Sequence, residues 1–151
     1  MLEFKPVTEY DIEHVADNMR KADAVEVWAS NRLTPLEALQ RSVSLSDLAC
    51  CVHVNGEPQV IFGLVKCGIL SRNGVPWMLG TEHALKYRRE FLKQTPAVIE
   101  EMLSVCDYLS NYVHVENRES IRWLKWLGFE IEDPTPHGPH GELFHLFYMR
   151  K

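Results

Sequence analysis

Residues 113–129 read VHVENRESIRWLKWLGF, and this stretch predicts a strand, a helix and the start of a second strand. Residues 112–115 form a short apolar run that is typical of a buried strand. Asn117 stands at a helix N-cap, where its side chain can satisfy a free main-chain N–H. The helix then carries an apolar face at helical spacing: Ile121, Leu124 and Leu127. Gly128 ends the helix at a position that favours a left-handed residue, and a strand over residues 129–132 follows.

Three strands are predicted upstream of this stretch, from runs of β-forming residues bounded by turn residues. They cover residues 48–54, 59–70 and 75–81. Asn55-Gly56 and Asn73-Gly74 are typical of tight hairpins and would join the three strands into an antiparallel meander. Gly63 and Gly68 are the expected bulge positions in the middle strand.

Helix signals flank the meander on both sides. Thr8 with Asp11 predicts a capped helix over residues 9–20, and Thr34-Pro35 predicts the start of a second helix. A long amphipathic helix is predicted over residues 91–109, which Thr95-Pro96 either starts or kinks. Further strands are predicted over residues 2–7 and 143–149. The elements together predict an α/β (α+β) fold with a mixed, mostly antiparallel central sheet and helices on both faces.

The composition is that of a packed protein, with 46% hydrophobic and 25% charged residues among 151. We expect one domain over residues 1–151. A formal net charge of −5 disfavours a protein whose main task is to coat nucleic acid. We recognise no leader peptide and no membrane-spanning run, so a cytoplasmic protein without a membrane partner is expected. The cysteines lack paired spacing and are expected to be buried, reduced thiols: Cys50, Cys51, Cys67 and Cys106.

The stretch from residue 113 to 129 resembles the C-terminal motif of the GNAT N-acetyltransferase superfamily. The residues in register with that motif are Asn117, Ser120, Ile121, Leu127, Gly128 and Phe129. The order of predicted elements is similar to the superfamily over nearly the whole chain. A finer resemblance, to acetyltransferase-like and internal virion proteins of short-tailed phages, is carried by WLKWLGF at residues 123–129 and FHLF at residues 144–147.

The GNAT resemblance implies that acetyl-coenzyme A lies where the fourth and fifth strands splay apart. It implies that main-chain groups around Leu79, Gly80 and Thr81 bind the pantetheine arm. The pyrophosphate would lie at the N-terminus of the next helix, and Asn117 and Ser120 would lie near the cofactor. An acceptor amine would then attack the thioester directly, with help from a base, an acid and an oxyanion donor.

The segment that should bind the pyrophosphate departs from the family pattern. It reads KYRREFLK over residues 86–93 and contains no glycine, which hinders close approach of the main chain to a phosphate. Lys86, Arg88, Arg89 and Lys93 offer side-chain charge for the same purpose. Alternatively, these cations form a solvated helix face.

The expected general acid and base also differ from the family. Leu124 occupies the position of the usual tyrosine, and nothing in the sequence selects among its substitutes, Tyr108, Tyr112 and Tyr148. Glu82 and His83 follow the fourth strand, where a carboxylate or an imidazole could act as a base. The alternative is a polar pair that faces solvent.

Two other groups of residues have plain interpretations. A set of histidines with one glutamate lies in and beside a Pro/Gly loop: His137, His140, Glu142 and His145. No metal-binding motif joins them, and no metal is expected. Trp123 and Trp126 project near each other from one helix, either into the core or towards a protein partner.

Two functions remain open from the sequence. One is an acetyl-coenzyme A-dependent N-acetyltransferase with an unknown amine acceptor. The other is a non-catalytic GNAT-fold phage protein that acts through protein partners in virion assembly or host takeover. If the protein is phage-encoded, it would occupy the host cytoplasm or the virion.

Overall fold

The strands form one eight-stranded sheet in which only one neighbouring pair, β4 and β5, is parallel. The structure is a computed structural model that describes residues 1–151. The strands are β1 (Leu2–Lys5), β2 (Leu48–Val54), β3 (Glu57–Lys66), β4 (Asn73–Gly80), β5 (Tyr108–His114), β6 (Glu130–Ile131), β7 (Thr135–His137) and β8 (Glu142–Arg150). Their order is β1-β2-β3-β4-β5-β8-β6, and β7 also pairs with β8. The predicted mixed, mostly antiparallel sheet is confirmed.

Five α-helices cover the two faces of the sheet. They are α1 (Glu9–Asp17), α2 (Lys21–Asn31), α3 (Pro35–Leu45), α4 (Arg88–Val105) and α5 (Arg118–Leu127). A 3₁₀ helix over Glu82–Tyr87 runs directly into α4. None of these helices is both long enough and apolar enough to span a membrane.

Local capping signals determine where the helices begin and end. Thr8 and Asp11 form a complete capping box at α1, in which each side chain bonds the main-chain N–H of the other. Thr34 forms the same box with Glu37 at α3. Gly128 ends α5 with φ 102°, the left-handed conformation that the sequence predicted.

The helices form separate cores on the two faces. On one face, α1 and α3 cover the buried side chains of Val15, Leu39, Cys51, Ile61 and Leu79. On the other face, α4 and α5 cover Leu64, Met102, Cys106, Leu109, Val113, Phe129 and Phe147. Ile61 and Leu64 lie on one strand, β3, and point to opposite faces because side chains alternate along a strand.

The predicted hairpin at Asn73-Gly74 is wrong, because both residues open β4 and pair with β5. Gly74 is there for close packing: a Cβ at this position would lie 2.8 Å from Cys106 Sγ. The irregularity in the β2–β3 pair falls between Val52 and His53, rather than at the two glycines that were expected to bulge. Pro96 lies inside α4 and does not start it.

Two further features differ from the predictions, and a third agrees with them. Helix α2 was not predicted, and its N-cap, Arg20, makes no side-chain capping hydrogen bond. All four cysteines are free, as expected, but Cys67 is exposed and Cys50 is only partly buried. Of the two tryptophans on α5, Trp123 packs against a core cluster, whereas Trp126 is 60% exposed. Both expectations for the tryptophan pair are thus realised, one by each residue.

Substitution Gly128→Val should destabilise the fold. A β-branched residue with φ near that of Gly128 costs on the order of 1–2 kcal/mol, since its Cβ crowds the next carbonyl. Thermal unfolding monitored by circular dichroism would measure the loss. Gly128→Asn is the matched control and should lose less, because asparagine tolerates this conformation. An unchanged melting temperature for the valine variant would contradict the assignment of the helix end.

Candidate active site

β4 and β5 part soon after they begin. They pair only at Asn73 with Tyr108 and at Gly74 with Leu109. One step further along, the Asn111 side chain donates to the main-chain oxygen of Pro76 at 2.8 Å. Beyond this bridge the strands diverge, and a cavity of about 290 Å³ lies in the opening. Its lining includes residues of β4, β5, α2, α4 and α5, and it extends over the sheet to Phe4, Val52 and Phe62 of β1–β3.

Met78 is the residue of β4 whose main-chain N–H and C=O face the opening, as the bonding of Gly80, two residues further along, shows. Gly80 directs its groups away from β3, since its N–H donates to Asp23 Oδ2 at 3.0 Å and its carbonyl accepts from Arg20 N at 2.8 Å. Successive residues of an antiparallel strand alternate between the two edges. Met78 therefore directs its N–H and C=O to the same edge as Gly80, where β5 does not pair with it.

The three residues predicted to bind the pantetheine arm lie at the end of β4, but their main chain is engaged. Leu79 pairs with Ile61 of β3, and the Thr81 N–H donates to the Gln59 carbonyl at 2.9 Å. Both groups of Gly80 are taken by the segment that starts α2. Met78, which was not among the predicted cofactor residues, is the residue whose main chain faces the opening.

The Arg20 guanidinium gathers residues from α2 and α5 beside the opening. Its Nη2 donates to Asp23 Oδ1 at 2.8 Å, to Asn117 Oδ1 at 3.0 Å and to Ser120 Oγ at 3.1 Å. Asn117 occupies the N-cap position of α5 but makes no capping hydrogen bond. The predicted capping role is therefore wrong in its detail. The predicted cofactor residues Asn117 and Ser120 do lie together, as acceptors for Arg20.

Glu26 is a carboxyl group of this site that sequence reasoning missed. It lines the cavity from α2, and its Oε1 accepts a 2.6 Å hydrogen bond from the main-chain N–H of His114. Burial raises the pKa of Glu26 to about 8, and the nearby Asp23 charge adds to the effect. The His114 N–H and Arg20 act in the opposite direction. The result is a carboxyl group that changes charge near neutral pH.

Burial likewise raises the pKa of Asp23, and the Arg20 charge opposes that rise. Asp23 is 5% exposed and accepts from both Arg20 and Gly80. The buried Asp23 carboxylate is stabilised by the Arg20 guanidinium, and removing that partner would leave an uncompensated buried charge. This ion pair therefore holds the start of α2 against the end of β4.

An aromatic pair and an indole complete the lining. Tyr112 and His137 stack with ring centroids 3.9 Å apart, and both line the cavity. Trp123 lines it too, and its buried Nε1 has no hydrogen-bond partner. Tyr108 and Tyr148, the other tyrosines considered as general acids, contact the Arg150 guanidinium instead. Tyr112 is thus the one of the three that reaches the opening.

Glu82 and His83 lie outside this lining. Glu82 Oε1 accepts from the main-chain N–H of Lys21 at 2.8 Å, at the start of α2. His83 meets the Tyr87 ring edge-on. Both residues are exposed and border a separate polar depression together with Lys86. Their catalytic role stays a prediction from the sequence.

The cations of the predicted phosphate segment take different directions. The 3₁₀ helix leads into α4, and the Arg88 N–H donates to the Leu85 carbonyl. A helix turns once every 3.6 residues. Arg88, seven residues before the cavity-lining Thr95, therefore lies on the cavity side of α4, and Arg89 lies about 100° further round the axis. Lys86 borders the other depression.

The histidines near the C-terminus do not converge. Glu142 Oε1 lies 3.0 Å from His114 Nε2, and His145 Nδ1 lies 2.7 Å from the Glu132 carbonyl. His137 stacks on Tyr112, and His140 is exposed. Each of these side chains has a separate environment.

Solved structures of acetyltransferases share this architecture. The aminoglycoside acetyltransferase AAC(6')-Ib in complex with coenzyme A matches with a TM-score of 0.68 at 16% identity, over 100% of this chain and 95% of that one. RimL, a ribosomal L7/L12 alpha-N-protein acetyltransferase in complex with coenzyme A, matches at 0.71 and 9% identity, over 99% and 93%. A GCN5-related N-acetyltransferase from Kribbella flavida matches at 0.70 and 13%, over 99% and 98%. The chain therefore has the GNAT fold.

One family model matches part of the sequence. It is described as bacteriophage T7, probable scaffold protein Gp13, and it covers residues 71–133, less than half of the chain. These residues run from β4 through α5 to β6 and include both strands that border the opening. No curated protein sequence matches significantly.

Glu26→Gln should change how stability depends on pH. The raised pKa means that the folded state holds the Glu26 proton more tightly than the unfolded state, so the wild type loses stability between about pH 4.5 and 8. The glutamine variant keeps an oxygen for the His114 N–H and should not suffer this loss, so its stability relative to wild type should rise from pH 5 to pH 8 by up to about 1.4 kcal/mol per pH unit. Urea unfolding at pH 5, 6.5 and 8 measures the difference.

The matched control for that experiment is Glu116→Gln, which removes an exposed carboxylate two residues from His114. Its stability should follow the wild-type curve at all three values. Parallel curves for wild type and Glu26→Gln would show that the Glu26 carboxyl group titrates normally.

Proposed function

We propose that the chain is an acetyl-coenzyme A-dependent N-acetyltransferase that works in the opening between β4 and β5. The observation that carries the proposal is the shared cavity of Met78, Glu26 and Tyr112 at the point where the two strands part. Solved structures with the same fold include acetyltransferases in complex with coenzyme A. No acceptor amine is assigned.

The residues present fit the reactive end of the cofactor. The cavity volume of about 290 Å³ is near the lower limit for ligand pockets and suits an acylated pantetheine arm, with the nucleotide outside. The Met78 main chain supplies one donor and one acceptor for the amides of that arm. The buried Trp123 Nε1 has no partner in the protein, and such a donor gains most from a ligand oxygen.

In this proposal, Glu26 is the general base and Tyr112 is the general acid. Bound acetyl-coenzyme A would supply an activated thioester to the amine. Glu26, with its pKa raised to about 8, takes the proton that the amine must lose, because a base is most effective when its pKa is near the working pH. Tyr112 holds a hydroxyl at the same opening and donates a proton towards the leaving sulfur.

Arg88 extends the site from the cavity to the phosphates. The first turn of α4 has fewer free N–H groups than an isolated helix, because the 3₁₀ helix already bonds Arg88 N. A phosphate group near this turn therefore depends on side-chain charge. Arg88 is on the cavity side, whereas Arg89 is rotated away from it.

Calorimetric titration with acetyl-coenzyme A tests the binding half of the proposal. Wild type should bind in the micromolar range. Arg88→Ala should weaken binding by about twofold to fivefold, as expected for one partly exposed charge pair. Arg89→Ala is the matched control and should leave the affinity unchanged. Absence of binding at millimolar ligand would refute the proposal.

Steady-state kinetics with a library of amines tests the catalytic half of the proposal. The rate is measured from the release of the free coenzyme A thiol. Glu26→Gln should lower kcat/KM by about 100-fold or more, and wild-type kcat/KM should rise with pH through about 8. Glu82→Gln and His83→Asn are the comparison variants. If Glu82→Gln or His83→Asn lowers kcat/KM and Glu26→Gln does not, the base is one of the residues predicted from the sequence.

A second candidate function is a non-catalytic protein that binds partners during virion assembly or host takeover. The match of residues 71–133 to a probable phage scaffold protein supports it, as does a phosphate segment without glycine. A chain that binds no acetyl-coenzyme A but retains its fold would favour this candidate.

A further inference from the structure

Three side chains of metal-ligand type converge outside the lining of the opening. Cys51 and His53 are two residues apart on β2 and so point to the same face, towards α1, which contributes Asp11. Their ligand atoms all lie within 4.8 Å of one another. Asp11 is 2% exposed and Cys51 is fully buried, so the cluster belongs to the interior.

The hydrogen bonding of His53 is incomplete. Both of its ring nitrogens are buried, and neither makes a hydrogen bond of acceptable geometry. His53 Nε2 lies 3.1 Å from Asp11 Oδ1, but the ring N–H direction is not aimed at that oxygen. Buried polar atoms without partners are rare and costly in proteins. The ring thus has the Asp11 carboxylate as a neighbour at Nε2, whereas its Nδ1 has no hydrogen-bond partner in the protein.

The spacing of these atoms suits a shared cation. Nitrogen and oxygen ligands about 2.1 Å from a tetrahedral zinc ion lie roughly 3.4 Å from each other. The observed 3.1 Å between His53 and Asp11 is close to that value. The Cys51 sulfur lies within 4.8 Å of the other two ligand atoms, so an inward movement of at most about 1 Å would bring it to zinc-binding distance.

We propose that Asp11, Cys51 and His53 bind a divalent cation of the zinc class, which joins α1 to β2. Thiolate, imidazole and carboxylate together suit zinc, whereas magnesium and calcium prefer oxygen ligands alone. On binding, the Cys51 thiol loses its proton to solvent and its sulfur becomes a ligand. The site is structural, because Cys51 is too enclosed to meet a substrate.

A fourth ligand is available at the edge of the sheet. Glu3 of the edge strand β1 lies directly opposite His53 and thus shares its face. Its side chain is half-exposed and lies 4.0 Å from Lys5, which is opposite Cys51. When the metal ion binds, the Glu3 carboxylate leaves the Lys5 ammonium and becomes a ligand. Because Glu3 is half-exposed, the ion can enter from solvent on this side.

Metal analysis of the purified protein tests this proposal. Wild type loaded with zinc and dialysed should retain one equivalent, and cobalt(II) should produce a sulfur-to-cobalt charge-transfer absorption. Cys51→Ser and His53→Gln should weaken zinc binding by at least about tenfold. Cys50→Ser is the matched control, because its side chain projects from the opposite face of β2 and should leave zinc binding unchanged.

The cobalt titration uses unaltered protein and remains decisive if a variant fails to fold. A wild-type chain that keeps no zinc and gives no charge-transfer band would overturn the proposal. The same conclusion follows if Cys50→Ser loses zinc as readily as Cys51→Ser. A raised melting temperature with zinc in wild type, absent in Cys51→Ser, would support it.

Discussion

The site depends on one buried ion pair, between Arg20 and Asp23. Through it the first turn of α2 is attached to the end of β4, since Arg20 N and Asp23 both bond Gly80. The same guanidinium reaches Asn117 and Ser120 at the start of α5. Removing either partner would leave a buried charge, at a cost of about 3–5 kcal/mol. Three elements that are distant in sequence are thereby held around one cavity.

This arrangement also explains the unusual carboxyl group of Glu26. The Arg20 charge is shared among several acceptors and is nearest to Asp23, so Glu26 receives little compensation for its burial. The main-chain N–H of His114 orients the carboxyl group but does not neutralise it. Glu26 is therefore fixed in position while its proton remains exchangeable near neutral pH. That combination is what acid–base chemistry requires.

The features that local signals determine could be predicted from the sequence, and those that long-range contacts determine could not. Thr8, Thr34 and Gly128 act within a few residues of themselves, and their predicted roles are confirmed. Asn117 has the local signature of a cap, but Arg20, 97 residues away in sequence, takes its oxygen. The location of the opening followed from a family resemblance. The roles of Met78 and Glu26 depend on strand register and burial, which appear only once the chain has folded.

The brief contact between β4 and β5 has a mechanical consequence. Two residue pairs, the adjoining bonds between Arg72 and residues 107–108, and the Asn111 bridge join the half-sheet β1–β4 to the half-sheet β5–β8. Elsewhere, each half-sheet is held internally by longer antiparallel ladders. The two half-sheets therefore pair with each other at one end only, near Asn73 and Gly74. At the far end, side chains rather than a strand ladder cross the gap, because the Arg20 guanidinium bonds Asp23 of α2 as well as Asn117 and Ser120 at the start of α5.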